Sequence, residues 1–184
     1  MSNFKPNLPQ DNAIIVVMST NNKELVKRVE ELGVKVLPSE NLSKLLIFEQ
    51  YHTDLQFLHY NKDTVFVLKE CTSLKENLKK YFPNVIEISK NIDKDYPNNV
   101  MLNCVVLNDK LICNSKTIAD EVLQMAIKDN LKIINVNQGY TKCSTCIVNE
   151  NAIITSDKSI YKSCSNEMDV LIIRKGYIEL PGTD

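Results

Sequence analysis

The stretch Cys104-Val-Val-Leu-Asn-Asp-Lys-Leu-Ile-Cys-Asn-Ser-Lys116 returns, without a gap, as Cys146-Ile-Val-Asn-Glu-Asn-Ala-Ile-Ile-Thr-Ser-Asp-Lys158. The copies lie 42 residues apart and coincide at Cys104/Cys146, Val106/Val148, Ile112/Ile154 and Lys116/Lys158. Each reads as an apolar strand, a short polar turn (Asn108-Asp109-Lys110, Asn149-Glu150-Asn151) and a second apolar strand, which is a hairpin pattern. Beyond the first copy, Ile118, Val122, Ala126 and Ile127 recur near helical spacing within Thr117–Asp129. Thr117 is the candidate N-cap, with Asp120 and Glu121 favourable in the first turn. Leu131–Val136 then reads as a strand that stops near Gly139. Beyond the second copy, a shorter helix over about 158–164 leads to the strand Val170–Ile173 and Gly176. The unit is strand, strand, helix, strand, and a fixed period of about 40 residues marks a repeat architecture.

The front half carries the same unit less clearly. Leu55–Leu58 and Val65–Leu68 flank the polar turn Asn61-Lys62-Asp63, and a helix over Ser73–Tyr81 follows. Ser73 and Glu76 hold the capping-box positions of that helix, and Val85–Ile88 closes the unit. Earlier, Ile14–Met18 reads as a strand and Asn22–Leu32 as a helix with Leu25, Val29 and Leu32 on one face. Gly33 stops that helix and Val34–Leu37 returns as a strand. The expected organisation is a lead-in at 1–12 and one domain over 13–184. Its repeats fall at about 13–50, 51–95, 96–139 and 140–176, with an incomplete fifth at 177–184. An incomplete ring would leave a strand edge open for self-association.

Composition bounds the function classes. The chain has 184 residues, 43% of them hydrophobic, enough for an α/β core without disulfides or metals to hold it. Lys plus Arg is 22 against 23 Asp plus Glu, and Arg28 and Arg174 are the only arginines, so a nucleic-acid partner is not indicated. No apolar run approaches a membrane span of about 20 residues, and no signal-like segment opens the chain, which points to the cytoplasm. Four glycines leave no GxGxxG or Walker loop, and GxSxG and HExxH are also absent, so no cofactor is implied. Cys143 and Cys146 form a CxxC without a second pair, and Cys143–Val148 reads as a strand, so neither a zinc site nor a thioredoxin-like dithiol is indicated. Most of the cysteines read as small buried hydrophobes, Cys104 and Cys146 sharing one packing role by their matched repeat positions.

A strand–strand–helix–strand repeat of this length resembles the pentein, or GME, fold, an α/β-propeller. The stretches that carry the resemblance are His52-Thr-Asp-Leu-Gln56, Tyr96-Pro-Asn-Asn-Val100, Gln138-Gly-Tyr-Thr-Lys-Cys-Ser144, Ile153-Ile-Thr-Ser-Asp157 and Asp169-Val-Leu-Ile-Ile173. In that order they look like a clostridial family of GME-fold proteins of unknown function, over nearly all of the chain from about residue 13. The superfamily holds arginine deiminase, glycine amidinotransferase and dimethylarginine dimethylaminohydrolase, and also a ribosome anti-association factor. For the enzymes, the resemblance implies a cysteine nucleophile, a histidine general acid/base and carboxylates that hold a guanidinium.

The candidates on this chain follow. His52 and Asp54 lie at strand spacing, which would put both side chains on one face. His59, the only other histidine, sits beside a hairpin turn and is expected to be solvated. Cys143 is the best available nucleophile, with Lys142 able to lower its pKa if the two side chains meet. Asn103, Gln138 and Asp157 are candidate substrate-binding residues, Asp157 being equally suited to cap a helix. In the enzymes the nucleophile lies in the last repeat, which is not complete here, so Cys143 is not its positional equivalent. The sequence therefore favours a non-catalytic or degenerate module that binds a small amino-acid-derived ligand or assembles with partners. The alternative is a hydrolase or amidinotransferase-like enzyme on a guanidine-like substrate.

Overall fold

The computed structural model describes residues 13–107 and 109–176. It is a mixed α/β chain of small sheets crossed by short helices. The expected lead-in at 1–12 and fifth unit at 177–184 lie outside the described residues. The first unit is β1 (Ile15–Met18), α1 (Lys23–Glu31) and β2 (Lys35–Pro38), with its two strands parallel. The second is α2 (Thr53–Gln56), β3 (Phe57–His59), β4 (Thr64–Leu68), α3 (Thr72–Leu78) and β5 (Asn84–Ile88). The third is β6 (Val105–Val106), β7 (Lys110–Cys113), α4 (Asp120–Lys128) and β8 (Lys132–Asn135). The fourth is β9 (Thr145–Asn149), β10 (Ala152–Thr155), α5 (Lys158–Cys164) and β11 (Asp169–Ile172).

In each of the last three units the middle strand pairs antiparallel with the strand before it and parallel with the strand after it. The polar turn makes the antiparallel hairpin. The helix supplies the crossover that a parallel return requires. β7 and β10 begin and end 42 residues apart, the same offset as the two matching stretches of sequence.

The middle strands are the most buried. β4 is buried along its whole length, with Val65, Phe66, Val67 and Leu68 each fully inaccessible. Full burial of a side chain of this size contributes roughly 1.5–3 kcal/mol. Alternation along β6 and β7 divides the interior in two. Cys104, Val106, Leu111 and Cys113 face the larger core with Leu55, Leu74, Leu78 and Val122. Val105 and Ile112 face a smaller one with Ile134, Ile153, Ile160 and Cys164. A period of two thus ties the third unit to both its neighbours.

Several local expectations give way to longer-range contacts. α4 begins at Asp120, not Thr117, because the Thr117 hydroxyl is spent on the Asn114 carbonyl. α3 starts one residue before Ser73, and the orphan N–H of Leu74 is met by the Glu40 carboxylate at 2.8 Å, from 34 residues away. Gly33 does end α1, at φ 78°, where a side chain would be strained. The apolar face of α1 is not covered among the described residues: Leu25 is 47% and Leu32 81% exposed.

His59 is half-buried rather than solvated, edge-on to Phe82 at 4.9 Å. Burial lowers its pKa from 6.5 to about 4. The fold therefore holds neutral histidine, while the unfolded chain takes up a proton as pH falls below about 6.5. Stability is full above that pH and drains away as pH drops toward 4. Denaturant midpoints measured at pH 7.5, 6 and 5 are expected to fall with pH, and His59→Leu to flatten that slope.

Candidate functional site

The segments ahead of the first strands of three successive units converge, the first of them the short helix α2. Asp54 lies three residues before β3, and Asn103 and Cys143 each lie two residues before β6 and β9. Each of these three segments thus delivers one polar group to a common point. His52 occupies the N-cap position of α2 and Asp54 its first turn, so the strand spacing expected of this pair is not what unites them. A single helical turn brings them to the same mouth.

Cys143 likewise stands in a turn, since β9 starts only at Thr145. That turn is closed by the Ser144 N–H on the Tyr140 carbonyl at 3.0 Å and the Thr145 N–H on the Lys142 carbonyl at 3.1 Å. Hydroxyls pin its ends: Thr141 donates to the Gln138 carbonyl, Thr145 to the Thr141 carbonyl and Thr155 to the Ser144 carbonyl.

At the centre, a ring nitrogen of His52 (Nε2) stands 3.0 Å from Cys143 Sγ. One ligand atom each from His52, Asp54 and Cys143 lies within 4.8 Å of the others. Asn103, only 1% exposed, braces the group. Its Nδ2 donates to Cys143 Sγ at 2.9 Å and to the Asp54 carbonyl at 3.4 Å. Its Oδ1 accepts the backbone N–H groups of Lys142 at 2.7 Å and Cys143 at 3.3 Å. The thiol reaches solvent, yet the protein packed around it is dense. Desolvation pushes its pKa up to about 11, the Asn103 amide opposing this and the Asp54 and Glu49 charges adding to it. The Lys142 charge acts on the buried Cys104, whose pKa it lowers against a larger rise from burial.

A second layer was not singled out from the sequence. Glu49, 6% exposed, accepts the Tyr140 hydroxyl at 2.6 Å. The buried Asn99 amide donates to that same hydroxyl oxygen and reaches the Glu49 carboxylate at 3.4 Å. Desolvation, with Glu49 next in weight, drives the Tyr140 pKa upward, so this phenol stays a donor. Asn99 and Tyr140 fall inside two of the blocks that carry the resemblance, which was the available signal. Glu49 sits in a stretch with no periodicity to mark it.

Gln138 and Asp157 meet each other rather than the thiol. Gln138 Nε2 donates to Asp157 Oδ2 at 2.9 Å, and Gln138 Oε1 accepts the Tyr140 N–H. Asp157 Oδ1 caps α5 by accepting the N–H groups of Ser159 at 2.8 Å and Ile160 at 2.9 Å. The pair therefore bolts the Cys143 turn to the start of α5. Asp157→Ala is expected to cost about 1–2 kcal/mol in urea unfolding, and Asp157→Asn, which still caps, much less.

Of the six cysteines, Cys71, Cys104, Cys113 and Cys164 are buried, as their reading as small hydrophobes requires. Cys146 is exposed, so it does not share the packing role of Cys104. It lies on β9 while Cys143 lies in the turn before it.

The model of a family of unknown function, DUF6873, matches residues 16–184. The chain belongs to that family. Among solved structures, this DUF6873 member is similar to "C. Jejuni Agmatine Deiminase", with TM-score 0.47 and 12% identity over 87% of this chain and 59% of that one. It is also similar to a cysteine-to-serine form of that enzyme with substrate bound, with TM-score 0.48 and 12% identity over 87% and 62% of the two chains. The DUF6873 chain thus spans about three-fifths of the length of the structures it matches. A search of curated proteins finds no match. No helix among the described residues is long and apolar enough to cross a membrane.

Proposed function

We propose that this chain is a thiol-dependent enzyme that acts on a guanidinium- or amidinium-bearing small molecule, with Cys143 as nucleophile and His52 as acid/base. The observation that carries the reading is the 3.0 Å approach of the His52 imidazole to the Cys143 sulfur, with Asp54 beside both. It replaces the non-catalytic module that the sequence favoured. That preference rested on scarce histidine and missing nucleophile context, and the close approach of His52 to Cys143 supports the enzyme reading instead.

The chemistry follows from the groups present. Burial and two nearby carboxylates keep the resting thiol protonated. A cationic substrate seated against Asp54 and Glu49 offsets those charges and lowers the thiol pKa at the moment of binding. His52 takes the sulfhydryl proton, and the thiolate attacks the central guanidinium carbon. The C–N bond to the leaving amine breaks as that proton passes from His52 to the amine nitrogen. Water, deprotonated by His52, then attacks the S-linked carbon, the C–S bond breaks, and the thiol regains its proton. The net reaction is guanidinium plus water to urea-type product plus ammonium or alkylammonium. The Asn103 amide steadies the developing thiolate, a donor fixed before the charge appears.

The test is turnover. A panel of guanidine compounds is incubated with the purified protein and scored for ureido product and released amine. At least one compound is expected to turn over, with loss of product in Cys143→Ser and His52→Ala. Equal product from Cys143→Ser and wild type would end the proposal.

A further inference from the structure

We infer that His52, Asp54 and Cys143 also form a binding site for a divalent transition ion of the zinc class, which closes the thiol to electrophiles when bound. The inference stands on the placement of three ligand atoms, not on the proposed reaction, which uses no metal.

Three features carry it. The first is spacing. A tetrahedral zinc ion, with bonds of about 2.3 Å to sulfur and about 2.0–2.2 Å to nitrogen or oxygen, holds its ligand atoms roughly 3.3–3.8 Å apart. The His52 nitrogen and Cys143 sulfur stand at 3.0 Å, and the whole trio lies within 4.8 Å, so small side-chain rotations reach that geometry. The second is donor type. An imidazole, a carboxylate and a thiolate are the set such an ion takes, whereas calcium and magnesium favour oxygen alone. The third is access with support. His52 and Cys143 are exposed, so an ion can enter and keep a water in its fourth position. The buried Asn103 meanwhile fixes the Cys143 turn and donates to the sulfur, the kind of outer hydrogen bond that orients a metal ligand.

Binding forms a metal–sulfur bond and releases the Cys143 proton to solvent, with no change of oxidation state. The sulfur lone pair that would attack an electrophile is then committed to the metal. Metal and substrate become mutually exclusive occupants of one mouth.

Cobalt(II) titration reads this without any substrate. One ion per chain is expected to give a thiolate-to-cobalt charge-transfer band that zinc then displaces. The band should vanish in Cys143→Ser, need at least about tenfold more metal in His52→Ala and Asp54→Asn, and persist in Cys146→Ser. Circular dichroism checks that each variant is folded, and all three ligand changes fall at the mouth of the site. Absence of the band in the wild-type protein, its survival in Cys143→Ser, or its loss in Cys146→Ser would overturn the inference. A chain that binds cobalt this way but turns over no guanidine would leave the metal site standing and remove only the enzyme.

Discussion

Asn103→Leu is expected to slow alkylation of Cys143 about tenfold and to destabilise the chain by about 1–3 kcal/mol. The side chain is buried, and leucine keeps its branched outline but is bulkier, so some overpacking adds to the loss. What disappears is a donor to the sulfur at 2.9 Å and an acceptor for two backbone N–H groups. The donor holds the thiol pKa down, so its loss leaves less thiolate at a given pH and slows alkylation about tenfold. A buried polar group left without its partner costs about 1–3 kcal/mol. Asn103→Asp separates the two roles. Its carboxylate still accepts from Lys142 and Cys143, so the turn keeps its bonds, but it donates nothing to sulfur and adds negative charge beside it. A slower thiol is the expected result, read by mass spectrometry of timed alkylation, while urea unfolding reads the cost of burying the added charge. Equal rates in all three proteins would show that the amide only holds the turn.

The second large effect concerns charge. Asp54 is one of the groups that raise the Cys143 pKa toward 11. Asp54→Asn therefore leaves more thiolate at neutral pH, and the neutral reagent iodoacetamide is expected to react several-fold faster. A haloacetamidine carries a positive charge that Asp54 attracts, and it is expected to react about tenfold more slowly, the equivalent of losing one ion pair of ~1.4 kcal/mol. The two reagents move in opposite directions on one substitution. A change in general accessibility would move them together. In the wild-type protein, the iodoacetamide rate should climb about tenfold per pH unit up to the thiol pKa near 11.

How much of this was legible beforehand differs by element. β7 and β10 could be read because an apolar period of two, a polar turn and an exact-length repeat all agree there. His52, Asp54 and Cys143, named together from the sequence, stand close together in the fold, though not through the strand spacing expected of the first two. A four-residue helix is too short to show a period, so α2 looked like the start of a strand. The turn at Cys143 depends on hydroxyl and amide bonds from Thr141, Thr155 and Asn103, which no local pattern reveals. The cap on α3 comes from Glu40, and the bracing of Tyr140 from Glu49 and Asn99. Contacts over 34 to 91 residues of chain are written in the fold and not in spacing. Asp157 was legible both as a cap and as a ligand, and the α5 N–H groups show it as the cap.

The central claim is that one thiol, activated by one imidazole, is singled out from six. Peptide mass mapping after brief exposure to a haloacetamidine at neutral pH tests it most directly. The account predicts a single adduct on Cys143 in the wild-type protein, with the exposed Cys146 unlabelled on that timescale, and loss of the adduct in His52→Ala. Comparable labelling of Cys146 and Cys143, or full labelling of Cys143 in His52→Ala, would contradict it.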